Sequence, residues 1–225
     1  MNRPVVVRLV LALTLFVPTA AAPAEIVRPQ LVVRSYTISP VSPAEWRAAR
    51  REATDVLNDA GVDVAWIDCS GAPPGQDGRT RCDAPLKRDE VAVRLVHRVS
   101  PTTAGPLPLG ESLVDPRLGF GTLATIYVDR VERFARVGHA NSGTLLGRAL
   151  AHELGHLLLG TAHTAGLMRP CWTRDDLRRA RAADWKFTAA DATRLRSAVA
   201  GRTTMMAACP DACRGSSPFS SKPTS

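Results

Sequence analysis

Apolar residues along this chain recur with two periods, and the switches between them mark the elements. Residues 31–38 (LVVRSYTI) are apolar and β-branched, which predicts a strand. Ser42-Pro43-Ala44-Glu45 then reads as a helix start, with Ser42 as N-cap, Pro43 at the first position and Glu45 three residues after the cap. Trp46, Ala49, Ala53, Val56 and Leu57 follow at helical spacing and predict one buried face, ending near Gly61. Residues 62–68 (VDVAWID) alternate as a second strand. The opening is therefore strand–helix–strand, consistent with a helix crossing the sheet. Residues 90–99 (EVAVRLVHRV) and 122–128 (TLATIYV) read as a third and a fourth strand. Residues 100–121, rich in Pro, Gly and Leu, read as an irregular segment of the kind that borders substrate clefts. An edge within residues 109–123 is the best place for an extended peptide to pair.

The pattern changes again after residue 141. Asn141 or Ser142 offers a helix cap, and Leu145, Leu146, Ala149, Leu150, Leu157 and Leu158 surround the helix with apolar residues. That predicts a helix buried on most sides. Thr173 with Asp176 three on marks another helix start at the head of residues 173–183, and residues 174–181 read as a charged, solvated helix face. Residues 188–199 are a further helix with Ala189, Ala192, Leu195 and Val199 near one side.

Inside the apolar helix lie His152, Glu153 and His156, the pattern H-E-x-x-H. Residues four apart share one helix face, so both imidazoles reach one ion. Glu153 points beside that ion, where it can take a proton from water. Burying two histidines and a glutamate in an apolar helix without a use would be costly. A catalytic zinc takes three protein groups and keeps one position open. Gly160 can adopt φ > 0 and end the helix in a left-handed cap, so that the chain returns His163 to the metal. Met168 follows in Gly166-Leu167-Met168, either as an apolar turn beneath the site or as an ordinary core methionine.

This set of H-E-x-x-H, glycine, third histidine and methionine resembles the metzincin zinc peptidases. The family pattern is H-E-x-x-H-x-x-G-x-x-H. Here three leucines precede Gly160, so the glycine and His163 both fall one residue late. A bulge or a longer turn would absorb the extra residue; otherwise another group replaces His163, with His139 the first candidate. The motif covers residues 152–168, and the rest of the likeness is one of layout. The resemblance implies an α/β (α+β) fold: a metzincin-like mixed sheet of four to five strands, a crossing helix, a buried zinc-binding helix and a C-terminal helix. It implies one Zn2+ held by His152, His156 and His163, Glu153 as general base, and Gly160 and Met168 in support. Some metzincins add a tyrosine after the methionine turn, whereas the only tyrosines here are Tyr36 and Tyr127.

Composition narrows the setting. The 225 residues suffice for one sizeable core. The net charge of +8 comes almost wholly from arginine, and no like-charge block is long enough for a nucleic-acid arm. Residues 1–24 read as a secretory signal: Arg3 and Arg8, a short apolar core, then Ala22-Pro23-Ala24 for cleavage. The expected domains are this signal, a single metzincin-like catalytic domain over 25–213 and a disordered tail over 214–225. A secreted or periplasmic product, monomeric and not inserted in a membrane after cleavage, would use its cysteines in disulfides. Cys69–Cys82 would close one local loop, and Cys171 would pair with Cys209 or Cys213. His97 reads as a surface histidine. Three functions remain open: a zinc endopeptidase acting on peptide or protein substrates, a zinc-containing binding protein that lost turnover, and a metal hydrolase of non-peptide amides.

Overall fold

The computed structural model describes residues 28–38, 40–71, 81–97, 108–179 and 181–207. The signal expected over 1–24, the tail over 214–225, and Cys209 and Cys213 lie outside these residues. The chain is a mixed α/β protein with one five-stranded sheet: β1 (Gln30–Thr37), β2 (Asp63–Asp68), β3 (Glu90–Val96), β4 (Gly110–Asp115) and β5 (Phe120–Tyr127). The strand order is β2-β1-β3-β5-β4. Four strands are parallel and β4 runs antiparallel along β5, at the edge.

The opening matches its pattern. Helix α1 (Pro43–Asp59) starts at Ser42, whose side chain accepts from the Glu45 N–H, and it buries Ala49, Ala53, Val56 and Leu57. It joins β1 to the parallel β2, as a crossover must. The Cys69–Cys82 disulfide is present and closes the loop after β2. Cys171 is exposed and unpaired among the described residues.

Two expectations about the middle of the chain need correction. Part of the segment read as irregular, residues 100–121, is ordered as β4 and the start of β5; residues 100–107 lie outside the described residues. Its single alternating stretch, Gly110 to Asp115, is short, and its pairing with β5 is interrupted by a register shift between Leu113 and Val114. The edge expected within 109–123 is β4. Second, residues 129–138, between the expected fourth strand and the metal-motif helix, carried no expected element. Helix α2 (Val128–Gly138) intervenes, burying Val131, Ala135 and Gly138. Its start lacks a signal because the strand runs directly into it, and Tyr127 at the N-cap makes no side-chain cap bond.

Helix α3 (Ser142–Leu159) is capped by Asn141, whose Oδ1 accepts from the Thr144 N–H at 2.9 Å. It is buried on most sides, between α1, α2 and the β5–β4 end of the sheet. The chain then passes a 3-10 turn (Gly166–Met168), the short α4 (Arg174–Arg179), a second 3-10 turn (Ala182–Trp185) and α5 (Ala189–Ala207). Thr173 and Asp176 cap α4 reciprocally: the Thr173 N–H donates to Asp176 at 2.7 Å, and the Asp176 N–H to Thr173 Oγ1 at 3.2 Å. In α5, Ala192, Leu195 and Val199 are buried as expected, while Ala189 is exposed. No helix among the described residues is long and apolar enough to cross a membrane.

Candidate metal centre

Helical periodicity sets the first two groups. His152 and His156 lie one turn apart on α3, with their Nε2 atoms 3.0 Å apart. Each Nδ1 is fixed from the far side. His152 Nδ1 donates to the Leu167 carbonyl at 2.8 Å, and His156 Nδ1 to the Gly160 carbonyl at 2.9 Å. With the proton on Nδ1, both Nε2 atoms carry lone pairs, and the two lone pairs face each other. Charging one ring would relieve this, but burial opposes it. Desolvation pushes His152 down to about 4, with the neighbouring histidines adding to the shift and the Leu167 carbonyl opposing it. Desolvation likewise lowers His156. Neutral imidazoles oriented by carbonyl acceptors are the form that binds a metal.

His163 completes the set. Ring nitrogens of His152, His156 and His163 all lie within 4.8 Å of one another. The extra residue before Gly160 is absorbed as helix, since α3 runs through Leu159. Gly160 does have positive φ, but its ψ of −171° is not the left-handed cap expected; it is a region open essentially to glycine alone. That turn sends residues 161–165 across the ends of the helical histidines. The turn is tied down at Thr164. Its N–H donates to the Met168 carbonyl at 3.0 Å, and its hydroxyl to the buried Asp191 of α5 at 2.6 Å. Asp191 also accepts from Thr188 Oγ1 at 2.7 Å. His139, the alternative ligand, is exposed at the C-cap of α2 and outside the cluster. His97 is exposed as expected.

Glu153 is buried beside the histidines. Ser112 Oγ, on β4, donates to Glu153 Oε2 at 2.7 Å and lies 2.8 Å from the Glu153 carbonyl. Oε1 has no hydrogen-bond partner among the described residues. Burial raises the carboxyl to about 7; the Ser112 bond opposes the shift and the charge of Glu111 adds to it. The carboxylate reaches this place only because position 110 is glycine. A Cβ there would lie 2.7 Å from Glu153 Cγ and 2.8 Å from Oε1. Met168 is fully buried beneath α3, and a Cβ on Gly155 would lie 2.6 Å from its sulfur. The methionine therefore packs under the H-E-x-x-H turn. Trp172 lies edge-on to His152 at 5.5 Å and donates weakly, at 3.4 Å, to the same Leu167 carbonyl.

Sequence reasoning placed the three histidines and Glu153 correctly as neighbours but missed Gly110, Ser112, Asp191 and Trp172. Ser112 had one usable signal, the short alternation of residues 110–115. Asp191 had another, since Thr188 and Asp191 repeat the spacing of Thr173 and Asp176.

The three histidines, Glu153, Gly110, Ser112 and Trp172 line a cleft of about 780 Å³ between β4, α2 and the chain after Met168. Fold and site together define an α/β protein with a candidate three-histidine metal centre. No family model matches the chain. No curated protein matches it. Among solved structures it is similar to an archaemetzincin from Methanopyrus kandleri, at 13% identity and a TM-score of 0.48, over 76% of this chain and 96% of that one. A likeness of this degree says nothing about activity, and the reading that follows rests on the residues themselves.

Proposed function

We propose that this chain is an exported zinc-dependent endopeptidase. The observation that carries the reading is the open polar cluster: three imidazoles converging within 4.8 Å, two of them fixed as Nδ1–H tautomers, beside a buried carboxylate. His152, His156 and His163 would hold one zinc ion. When bound, zinc supplies Lewis acidity, making water in the site acidic and polarising a carbonyl. Glu153 then works through Oε1, the oxygen left free by Ser112. It takes a proton from the attacking water and returns it to the leaving amine. Ser112 holds the carboxylate on its line, and β4 offers free backbone groups on its outer side for an extended substrate. Export is supported by the signal-like pattern of residues 1–24 and by the disulfide after β2.

One observation favours a second reading, a zinc-containing binding protein. Neither tyrosine is a cleft residue: Tyr36 donates to the Cys82 carbonyl at 3.0 Å, and Tyr127 is buried under Arg130. The test is cleavage of a diverse peptide library by the chain from residue 25 onward and by its Glu153→Ala variant, both with measured zinc content. Cleavage by the parent alone is expected. Zinc bound at one per chain without cleavage would move the weight to the binding protein, and absence of zinc would remove both readings.

A further inference from the structure

We propose that the cleft selects peptides with a carboxylate near the scissile bond, and that Arg133 and Arg174 read it. The proposal rests on the peptidase reading and names its substrate class. Its basis is the charge carried by the two cleft walls. One wall is a stripe of α2: Arg130, Arg133, Phe134 and Val137 fall at i, i+3, i+4 and i+7, and all four face the cleft. The other wall is the chain after Met168, which contributes Arg169, Trp172 and Arg174. Four guanidinium groups thus meet only two carboxylates among the lining residues, Glu111 and Glu153, and Glu153 is assigned to the chemistry.

The four arginines are not equivalent. Arg130 Nη1 donates to the Pro108 carbonyl at 2.8 Å, and its guanidinium stacks over Tyr127 at 4.1 Å. Arg169 is held by Asp176 at 3.2 Å, by the Asp184 carbonyl at 2.9 Å and by the face of Trp185 at 5.0 Å. These two build the walls. Arg133 and Arg174 are exposed, and neither side chain has a partner among the described residues. An isolated exposed arginine would be an ordinary solvated side chain. Here two of them line one cleft from separate elements, and its apolar walls, Phe134, Val137 and Trp172, concentrate their field. A guanidinium fork matches a carboxylate in two parallel hydrogen bonds, which makes the pair selective for shape as well as charge. The carboxylate could belong to an Asp or Glu side chain or to a free peptide C-terminus.

The test uses the zinc-loaded chain and three fluorescent peptides of one backbone: an internal glutamate with an amidated end, a glutamine in its place with an amidated end, and the glutamine peptide with a free end. Two quantities are read, kcat/KM with the parent chain and Kd with its Glu153→Gln variant. The ratio between acidic and neutral peptides is the measure, because a folding defect leaves a ratio unchanged. A preference of about tenfold for one acidic peptide is expected, on the order of one charged hydrogen-bonded pair. It should shrink in Arg133→Gln and in Arg174→Gln, vanish in the double variant and weaken with added salt. Which acidic peptide wins identifies the side chain or the C-terminus as the source. Equal cleavage of all three peptides, or a preference that survives the double variant, overturns the proposal and leaves the peptidase reading intact. Charge-selective binding without cleavage overturns the peptidase reading but keeps the carboxylate site. Neither binding nor cleavage overturns both.

Discussion

Among the described residues, two clusters of ionisable groups are built on opposite plans. At the β1–β3 side of the sheet, Arg34 and Glu90 are almost wholly buried and paired with each other. Arg34 also donates to the carbonyls of Ala84 at 2.6 Å and Pro85 at 3.2 Å. Glu90 also accepts from Arg81 at 3.0 Å and from the Lys87 N–H at 3.1 Å. Apart from Arg34 Nε, each polar atom of the pair has a partner within the protein. That network is closed, and it stitches the disulfide loop to the sheet. The cluster on α3 is open: two ring nitrogens present lone pairs to each other at 3.0 Å, and Glu153 Oε1 has no hydrogen-bond partner among the described residues. Glu153 and His156 are buried too, and their unmet polar atoms separate a site that a ligand completes from a structural network.

Filling or emptying the open cluster should give the largest effect. Saturating zinc at about a thousand times its Kd should stabilise the parent chain by about 4 kcal/mol, read as a shift in thermal midpoint with and without chelator. His156→Ala should abolish that shift together with activity. His163→Ala, which removes the one ligand outside the helix, should retain weak zinc binding from the helical pair. A full zinc-dependent shift in His163→Ala would place the third ligand elsewhere.

Breaking the closed network should come next. Glu90→Gln leaves Arg34 buried against a neutral partner and should cost about 3–5 kcal/mol in urea unfolding. Unlike His156→Ala, it should leave the size of the zinc-induced shift unchanged. If that shift also fell, the two networks would be coupled rather than separate.

Asp191 tests how far the closed scaffold holds the open site. Asp191→Ala leaves two hydroxyl donors, Thr164 and Thr188, without their acceptor and should destabilise the fold by about 1–3 kcal/mol. Because Thr164 adjoins His163, zinc affinity should fall by about 10–100-fold, as when a ligand loses its orienting partner. Zinc titration of the variant checks this, and unchanged affinity would mean that the turn holds itself.

The smallest effect is that of acid on the closed network. Burial pushes the Glu90 carboxyl up, but the Lys87 N–H, Arg81 and Arg34 outweigh it and hold it below the ordinary value of 4.5. A carboxyl depressed in the folded state contributes stability above the unfolded value and loses it as pH falls through the folded one. The urea midpoint of the parent should therefore drop below about pH 4.5, and Glu90→Gln should flatten that part of the curve. An equally steep fall in the variant would assign the acid sensitivity to other groups.

How much of this was legible in the sequence depended on the range of the interactions. Helical periodicity fixed α1 and its buried face, because Ala49, Ala53, Val56 and Leu57 act within one helix. The same period placed His152 and His156 on one turn. Two elements were missed for local reasons: α2 begins at a tyrosine that caps nothing, and β4 is short and shifts register. His163 was reachable from its spacing after Gly160, although the backbone turn there differs from the one expected.

By itself, the sequence determined the strand–helix–strand opening, the apolar helix that carries H-E-x-x-H and the grouping of two imidazoles with one carboxylate, since periods of two and 3.6 residues need no partner to be read. Tertiary structure alone decided the rest of the site. Ser112 meets Glu153 across 41 residues because β4 is the edge strand and Gly110 has no side chain. Asp191 reaches Thr164 across 27 residues because α5 packs back against the end of α3. The walls of the cleft come from α2 and residues 169–174, which only packing brings face to face. Such contacts join segments with no common period, and so no pattern along the chain records them.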